Sequence, residues 1–290
     1  MIHTARKATA HSSETTVQAQ LSVKFWGVRG SVPTPIAANQ RYGGNTACVE
    51  VHIGGQHIIF DGGTGLVELG HQLQSQDAPI DAHLFFTHTQ WDRIQGFPFF
   101  QPAFTTGNRF SIYGGTAPNG ASIKHCLTDQ MLKPHFSMPL QNMRAELAFH
   151  HLAAESNFQI GDVLVETLQI NPATQALGYR LTWEDYTVVY ATDTPINCVD
   201  LDFLQFVDQA DILLYDGTYS DLGYLRDVHN EALNPWDAGL DIVKKANIKE
   251  LALLHHSPVQ SDECLDQLQH DMRDRFANTH IAYEGMVINR

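Results

Sequence analysis

Apolar residues recur at every second position through Leu21–Gly27 (L-S-V-K-F-W-G), the period of a half-buried strand, and Val28–Pro35 follows as a loop punctuated by Gly and Pro. The run R-Y-G-G-N-T-A-C-V-E-V-H-I leads into a second strand, and Gly54-Gly55 predicts a tight hairpin to Gln56–Phe60. Asp61-Gly62-Gly63-Thr64-Gly65 then ends that strand in a turn and opens a helix over Leu66–Leu73. This Gly-rich turn lacks the G-x-x-x-x-G-K-[ST] spacing of a nucleotide loop. The next stretch, His83–Phe100 (H-L-F-F-T-H-T-Q-W-D-R-I-Q-G-F-P-F-F), organises the chain. Its apolar run Leu84-Phe85-Phe86 is short enough for a buried strand. It then presents His88, Gln90, Asp92 and Arg93 from the loop that follows, before Gly96 and Pro98.

Further along, residues 101–145 mix Pro, Gly and aromatics, which predicts a strand, a helix around Ser122–Leu132 and a loop over the site. F-Q-I-G-D-V-L-V-E-T-L-Q-I reads as a strand pair about a Gly-Asp turn and delivers Asn171-Pro172. A second hairpin joins A-L-G-Y-R-L-T to T-V-V-Y-A-T-D-T. Helices are expected over Leu201–Gln209, Trp236–Ala246 and Asp262–Phe276. A-D-I-L-L-Y-D and E-L-A-L-L-H-H are buried strands, and a final strand is expected over Ile281–Val287. Hairpins and buried strands with helices in both halves predict an α/β fold: two sheets sandwiched between helices.

Composition narrows the functional classes. With 290 residues the chain has ample length for a sizeable core, and 43 % hydrophobic against 17 % charged residues is ordinary for a globular protein. The formal charge of −14 argues against an extended nucleic-acid surface. The 4 cysteines are far apart, with no C-x-x-C pair, so neither a disulfide framework nor a cysteine zinc site is suggested. No apolar run reaches the ~20 residues of a membrane span. Residues 1–20 are expected to be a mobile tail on a cytoplasmic protein, with one domain over residues 21–290. The 16 histidines invite a metal reading, yet most sit where spacing alone recruits no ligand set. His52 and His57, in strand-like runs, and His150-His151, in A-F-H-H-L, are expected to be satisfied or exposed strand residues.

Several motifs together carry a resemblance. T-H-T-Q-W-D-R-I-Q-G is similar to the T-H-x-H-x-D-H-x-x-G loop of the metallo-β-lactamase superfamily. F-W-G-V-R-G-S-V-P-T-P, R-Y-G-G-N-T, F-D-G-G-T-G-L, L-G-Y-R-L, Y-A-T-D-T, L-L-Y-D-G-T-Y and L-L-H-H-S-P extend the likeness from about Leu21 to the C-terminus. They resemble the phosphodiesterase-like branch, with its cyclic-nucleotide phosphodiesterases and tRNA 3′-end endonucleases. The resemblance implies an αββα sandwich of two mixed β-sheets flanked by helices, with two metals at one edge activating a hydroxide. Carried over by position, the family's ligands fall on His88, Asp92, the bridging Asp193 and His255. Three further ligand positions carry Gln90, Arg93 and Asn171 in place of histidine. The proton-donating histidine of a G-H-S-T-W-like motif falls on Leu233 in A-L-N-P-W, with His229 nearby. Arg41, Tyr42, Asn45, Asp61, Trp91, His135 and Tyr219 are expected near the pocket.

Gln90 and Asn171 offer only neutral amide oxygens, weak donors for zinc. Arg93 brings a permanent cation beside Asp92, Asp193 and His255, the set left to hold a single ion. Like charges there would repel by ~4 kcal/mol at ~4 Å with an effective dielectric near 20. The expectation is therefore a fold whose dinuclear centre is dismantled, with Arg93 standing in for the missing cation. No cofactor is expected, the alternative being one Zn, Mn or Fe ion serving phosphodiester hydrolysis. The expected partner is an unspecified small molecule or protein, or a second copy in a homodimer.

Overall fold

The computed structural model describes residues 20–76, 78–195, 198–216 and 235–290. The expected tail, Tyr219, His229 and Leu233 lie outside this set, apart from residue 20.

Two seven-stranded sheets face each other. In the first, β1 (Leu21–Gly27), β2 (Cys48–Ile53) and β3 (Gln56–Phe60) are antiparallel neighbours. β4 (Asp81–Phe86), β5 (Arg109–Gly114) and β6 (Glu146–His151) then continue the sheet in parallel from β3. The second repeats this plan. β7 (Asn157–Ile160), β8 (Val163–Asn171), β9 (Ala176–Trp183) and β10 (Tyr186–Ala191) are antiparallel, and β11 (Ile212–Asp216), β12 (Leu251–Leu254) and β13 (Thr279–Ile281) run parallel from β10.

The alternation in β1 explains how the layers separate. Leu21, Val23 and Phe25 are fully buried and meet Val165, Leu181, Val188 and Leu214 of the other sheet in the central core. On the outer side of the first sheet, Leu66, Leu69 and Leu73 of α1 (Gly65–Gln74) pack on Ile59, Leu84 and Phe86. The outer side of the second sheet is covered by α4 (Leu201–Val207), α5 (Pro235–Lys245) and α6 (Asp262–Arg275), after the short α2 (Trp91–Ile94) and α3 (Ile123–Asp129) earlier in the chain. Because β11 and β12 are covered on both faces, they read as continuous apolar runs. The fold is the α/β αββα sandwich.

One element differs from expectation. The single strand expected over Ile281–Val287 is two: β13 in the second sheet, and β14 (Val287–Asn289) antiparallel to β1 in the first. Gly285, at φ +86°, lets the chain turn between them and cross from one sheet to the other.

Candidate functional site

The carboxyl ends of β3, β4, β8, β10, β11 and β12 meet at one edge of the sandwich, where the parallel strands open into loops. Asp61 follows β3, Asp193 follows β10 by two residues and His255 follows β12. All three have positive φ (59°, 66° and 62°), a left-handed backbone that turns the chain sharply at the strand end. Non-glycine residues rarely adopt it, and it concentrates at functional sites.

A backbone contact places Arg93 beside Asp61. The Asp61–Gly65 turn lies directly on the loop carrying α2: Gly62 N–H donates to Arg93 O at 2.6 Å, and Gly96 N–H donates to Gly62 O at 2.8 Å. A Cβ on Gly96 would fall 1.9 Å from Gly63 O, so only glycine permits this approach.

The Arg93 side chain is fully buried. Its Nη1 donates to Asp61 Oδ2 at 2.9 Å, to Thr192 Oγ1 at 3.1 Å and to the Tyr190 hydroxyl at 3.3 Å. Its Nε stands 3.1 Å from Asp92 Oδ2, an ion pair by distance rather than an aligned hydrogen bond. The guanidinium therefore spans two carboxylates instead of gripping one bidentately. Asp61 is further held by the Tyr190 hydroxyl at 2.9 Å and by the N–H and hydroxyl of Thr87. Burial works against the Arg93 charge, but Asp61 and Asp92 outweigh it and hold its proton more tightly than usual. Asp92 behaves likewise: burial opposes its ionisation, and Arg93 and His255 overcome that, leaving the carboxyl well below the usual range.

His255 Nδ1 lies 3.2 Å from Asp216 Oδ1, and its Nε2 lies 3.4 Å from Asp92 Oδ2. Burial and the Arg93 charge disfavour a protonated ring, yet the two carboxylates prevail and its pKa is pushed up to about 9. Burial raises the Asp216 carboxyl, whose Oδ2 accepts from Thr194 N–H at 2.8 Å. On the other side of the crevice, His88 is spanned by Thr87 Oγ1, 2.9 Å from Nδ1, and Gln90 Oε1, 2.8 Å from Nε2. Asp193 Oδ2 accepts from Asn171 Nδ2 at 3.0 Å and from Thr174 Oγ1 at 2.6 Å, while His88 Nε2 stands 3.9 Å away. The side-chain amide oxygen Oδ1 of Asn171 in turn accepts from Ala173 N–H at 3.0 Å.

The structure thus gathers Asp61, His88, Gln90, Asp92, Arg93, Asn171, Asp193 and His255 into one crevice. Other expected residues have their contacts elsewhere. Asn45 turns its amide to Glu284, 3.1 Å from Oε2, and Arg41 and Tyr42 are drawn to Asp266 in α6. Trp91 is 74 % exposed because it opens α2 on the solvent side, and His135 is exposed in the loop after α3. Sequence reasoning missed Asp216, Thr87, Thr174, Tyr190 and Thr192. Only Asp216 left a signal, as the charge closing the apolar run I-L-L-Y-D.

These donors do not fit a pair of divalent cations in this arrangement. Arg93 fills the ground between Asp61 and Asp92, the Gln90 amide faces His88 Nε2, and Asn171 and Thr174 saturate Asp193 Oδ2. Nor do Asp92, Asp193 and His255 bring three ligand atoms within 4.8 Å of one another; among the described residues only Glu50, His52 and His57 do so.

The Beta-lactamase superfamily domain matches residues 57–256, and the chain belongs to that superfamily. Ribonuclease Z of Alkaliphilus oremlandii (strain OhILAs) is 21 % identical over 322 residues, covering 91 % of this chain and 97 % of that protein. Among solved structures, the metallo-beta-lactamase fold protein YhfI of Bacillus subtilis superposes with a TM-score of 0.64 at 19 % identity, covering 93 % of this chain and 99 % of the other. A diphosphatase of the PhnP family gives 0.65 at 16 % identity, covering 93 % and 98 %. The short form of human tRNase Z gives 0.62 at 17 %, covering 92 % and 98 %. At these identities the structural matches establish a shared fold.

Proposed function

We propose that this chain is a non-catalytic member of its superfamily that uses the strand-end crevice to bind a small molecule or protein ligand. The observation that carries this reading is the Arg93 guanidinium, buried between Asp61 and Asp92 at a position the resemblance gives to a metal-binding histidine. A fixed organic cation between both carboxylates occupies ground a metal would need and repels a dication there. Beside His88, a hollow of about 10 Å³, room for a water-sized polar group, is lined by Thr87, Thr89, Thr116, Thr174 and Gln175. Hydroxyl and amide groups there suit a small polar group rather than an extended apolar ligand.

The decisive experiment measures metal content by mass spectrometry after expression with zinc, manganese or iron, alongside hydrolysis of bis-p-nitrophenyl phosphate. The expected result is no turnover, and no metal whose retention depends on Asp193 or His255. Histidines introduced together as Gln90→His, Arg93→His and Asn171→His should restore metal uptake. A second reading, a phosphodiester hydrolase with one metal at Asp92, Asp193 and His255, draws support from the 3.4 Å approach of His255 Nε2 to Asp92 and from relatives named ribonuclease Z and diphosphatase. Turnover abolished by His255→Gln would establish it and overturn the first.

A further inference from the structure

A second cluster stands on the outer face of the first sheet. Alternate residues of a strand share a face, so Glu50 and His52 of β2 point the same way, and the hairpin register sets His57 of β3 directly opposite His52. Glu50 Oε1 lies 3.1 Å from His52 Nε2 and 2.8 Å from His57 Nε2, and all three atoms fall within 4.8 Å of one another. The two imidazoles are stacked, with centroids 4.5 Å apart and planes at 17°.

Three features point beyond an ordinary hydrogen-bonded network. His57 Nε2 is buried and, despite its 2.8 Å separation, is not aligned to share a hydrogen with Glu50 Oε1. Two ring nitrogens crowd one carboxylate oxygen at separations near the about 3.3 Å edge of a tetrahedral zinc site with bonds of ~2.0–2.1 Å. The nearest cross-strand cation is turned away. Lys24 pairs with Glu50 in register, yet its ammonium donates to Gln72 Oε1 at 2.9 Å and lies 3.9 Å from the centroid of the Trp26 ring.

The ligands are also oriented from behind. The Trp26 indole N–H donates to Glu50 Oε2 at 2.9 Å, which fixes the carboxylate and leaves Oε1 directed at the imidazoles. Burial opposes ionisation of Glu50, but its contacts with His52, His57 and Trp26 outweigh it and hold the carboxyl well below the usual range. His52 is half exposed, so the side facing water stays open.

We propose that Glu50, His52 and His57 form a mononuclear site for a borderline divalent cation, zinc foremost, that ties β2 to β3 beside their hairpin. Two imidazoles and a carboxylate suit zinc, with water completing the coordination. The site is independent of the crevice described above.

The test strips the full chain with chelator and titrates it with Zn²⁺ against a chromophoric chelator, then with Co²⁺ followed by visible absorption. One equivalent should bind the parent chain and the Asp193→Asn variant alike. His52→Ala and Glu50→Gln should each weaken it by at least about 100-fold and abolish the Co²⁺ band. Zinc should raise the melting temperature of the parent but not of His52→Ala, whose half-exposed side chain can be removed without unfolding the sheet. Failure of the parent to bind zinc, or binding that survives His52→Ala unchanged, overturns the proposal. Binding lost in Asp193→Asn but kept in His52→Ala also overturns it, and places the metal in the crevice.

Discussion

The Arg93 crevice and the Glu50 hairpin face are opposites in kind. The first carries the positions that the resemblance gives to metal ligands, but these are already engaged: Asp92 with a guanidinium, His88 with an amide, Asp193 with Asn171 and Thr174. The second carries no motif, yet its three ligand atoms converge with an open side. Position in a motif and availability to a metal are therefore separate properties. Availability depends on what neutralises each donor, which only the packed structure reveals.

The largest effect that would break this contrast comes from Arg93. Arg93→Ala removes the guanidinium that Asp61 and Asp92 share in a buried site, and should cost about 3–5 kcal/mol in urea unfolding. A loss under ~1 kcal/mol would mean that water or another cation reaches those carboxylates and the crevice is more open than its hydrogen bonds imply. Asn171→Ala comes next, since it removes a donor to Asp193 and an acceptor for Ala173 N–H. It should cost about 1–3 kcal/mol by thermal or chemical denaturation.

A pH titration sharpens the comparison from the side of His255. Its folded pKa of about 9 lies above the 6.5 of the unfolded chain, so its contribution is fully present below pH 6.5 and fades as pH rises through 9. Unfolding free energy should decline across that window, and the decline should flatten in His255→Gln. Smallest of all, His52→Ala without metal should change stability by no more than about 1 kcal/mol, because an exposed imidazole contributes little to the fold.

The sheet-forming segments were legible because alternation and buried runs directly encode which face meets a core: β1 in L-S-V-K-F-W-G, β11 in I-L-L-Y-D. The end of the chain was not. A seven-residue span with apolar ends has the same pattern whether it is one strand or two short ones split by a turn, and Gly285 was the only local sign of the split. At the crevice, the placement of Gln90, Arg93 and Asn171 followed from motif register. The hydroxyls of Thr87, Thr174, Tyr190 and Thr192 arrive by tertiary packing that no spacing announces. The hairpin cluster is the reverse case. The Gly54-Gly55 turn already implied that His52 faces His57, but considering each histidine alone hid the pair.

The left-handed backbone at Asp61, Asp193 and His255 has a consequence for the history open to this protein. The same main-chain turn recurs at three strand ends, so the backbone itself helps to aim what the rim presents. A few exchanges at neighbouring positions can then re-equip the rim for different work while the sandwich beneath stays as it is.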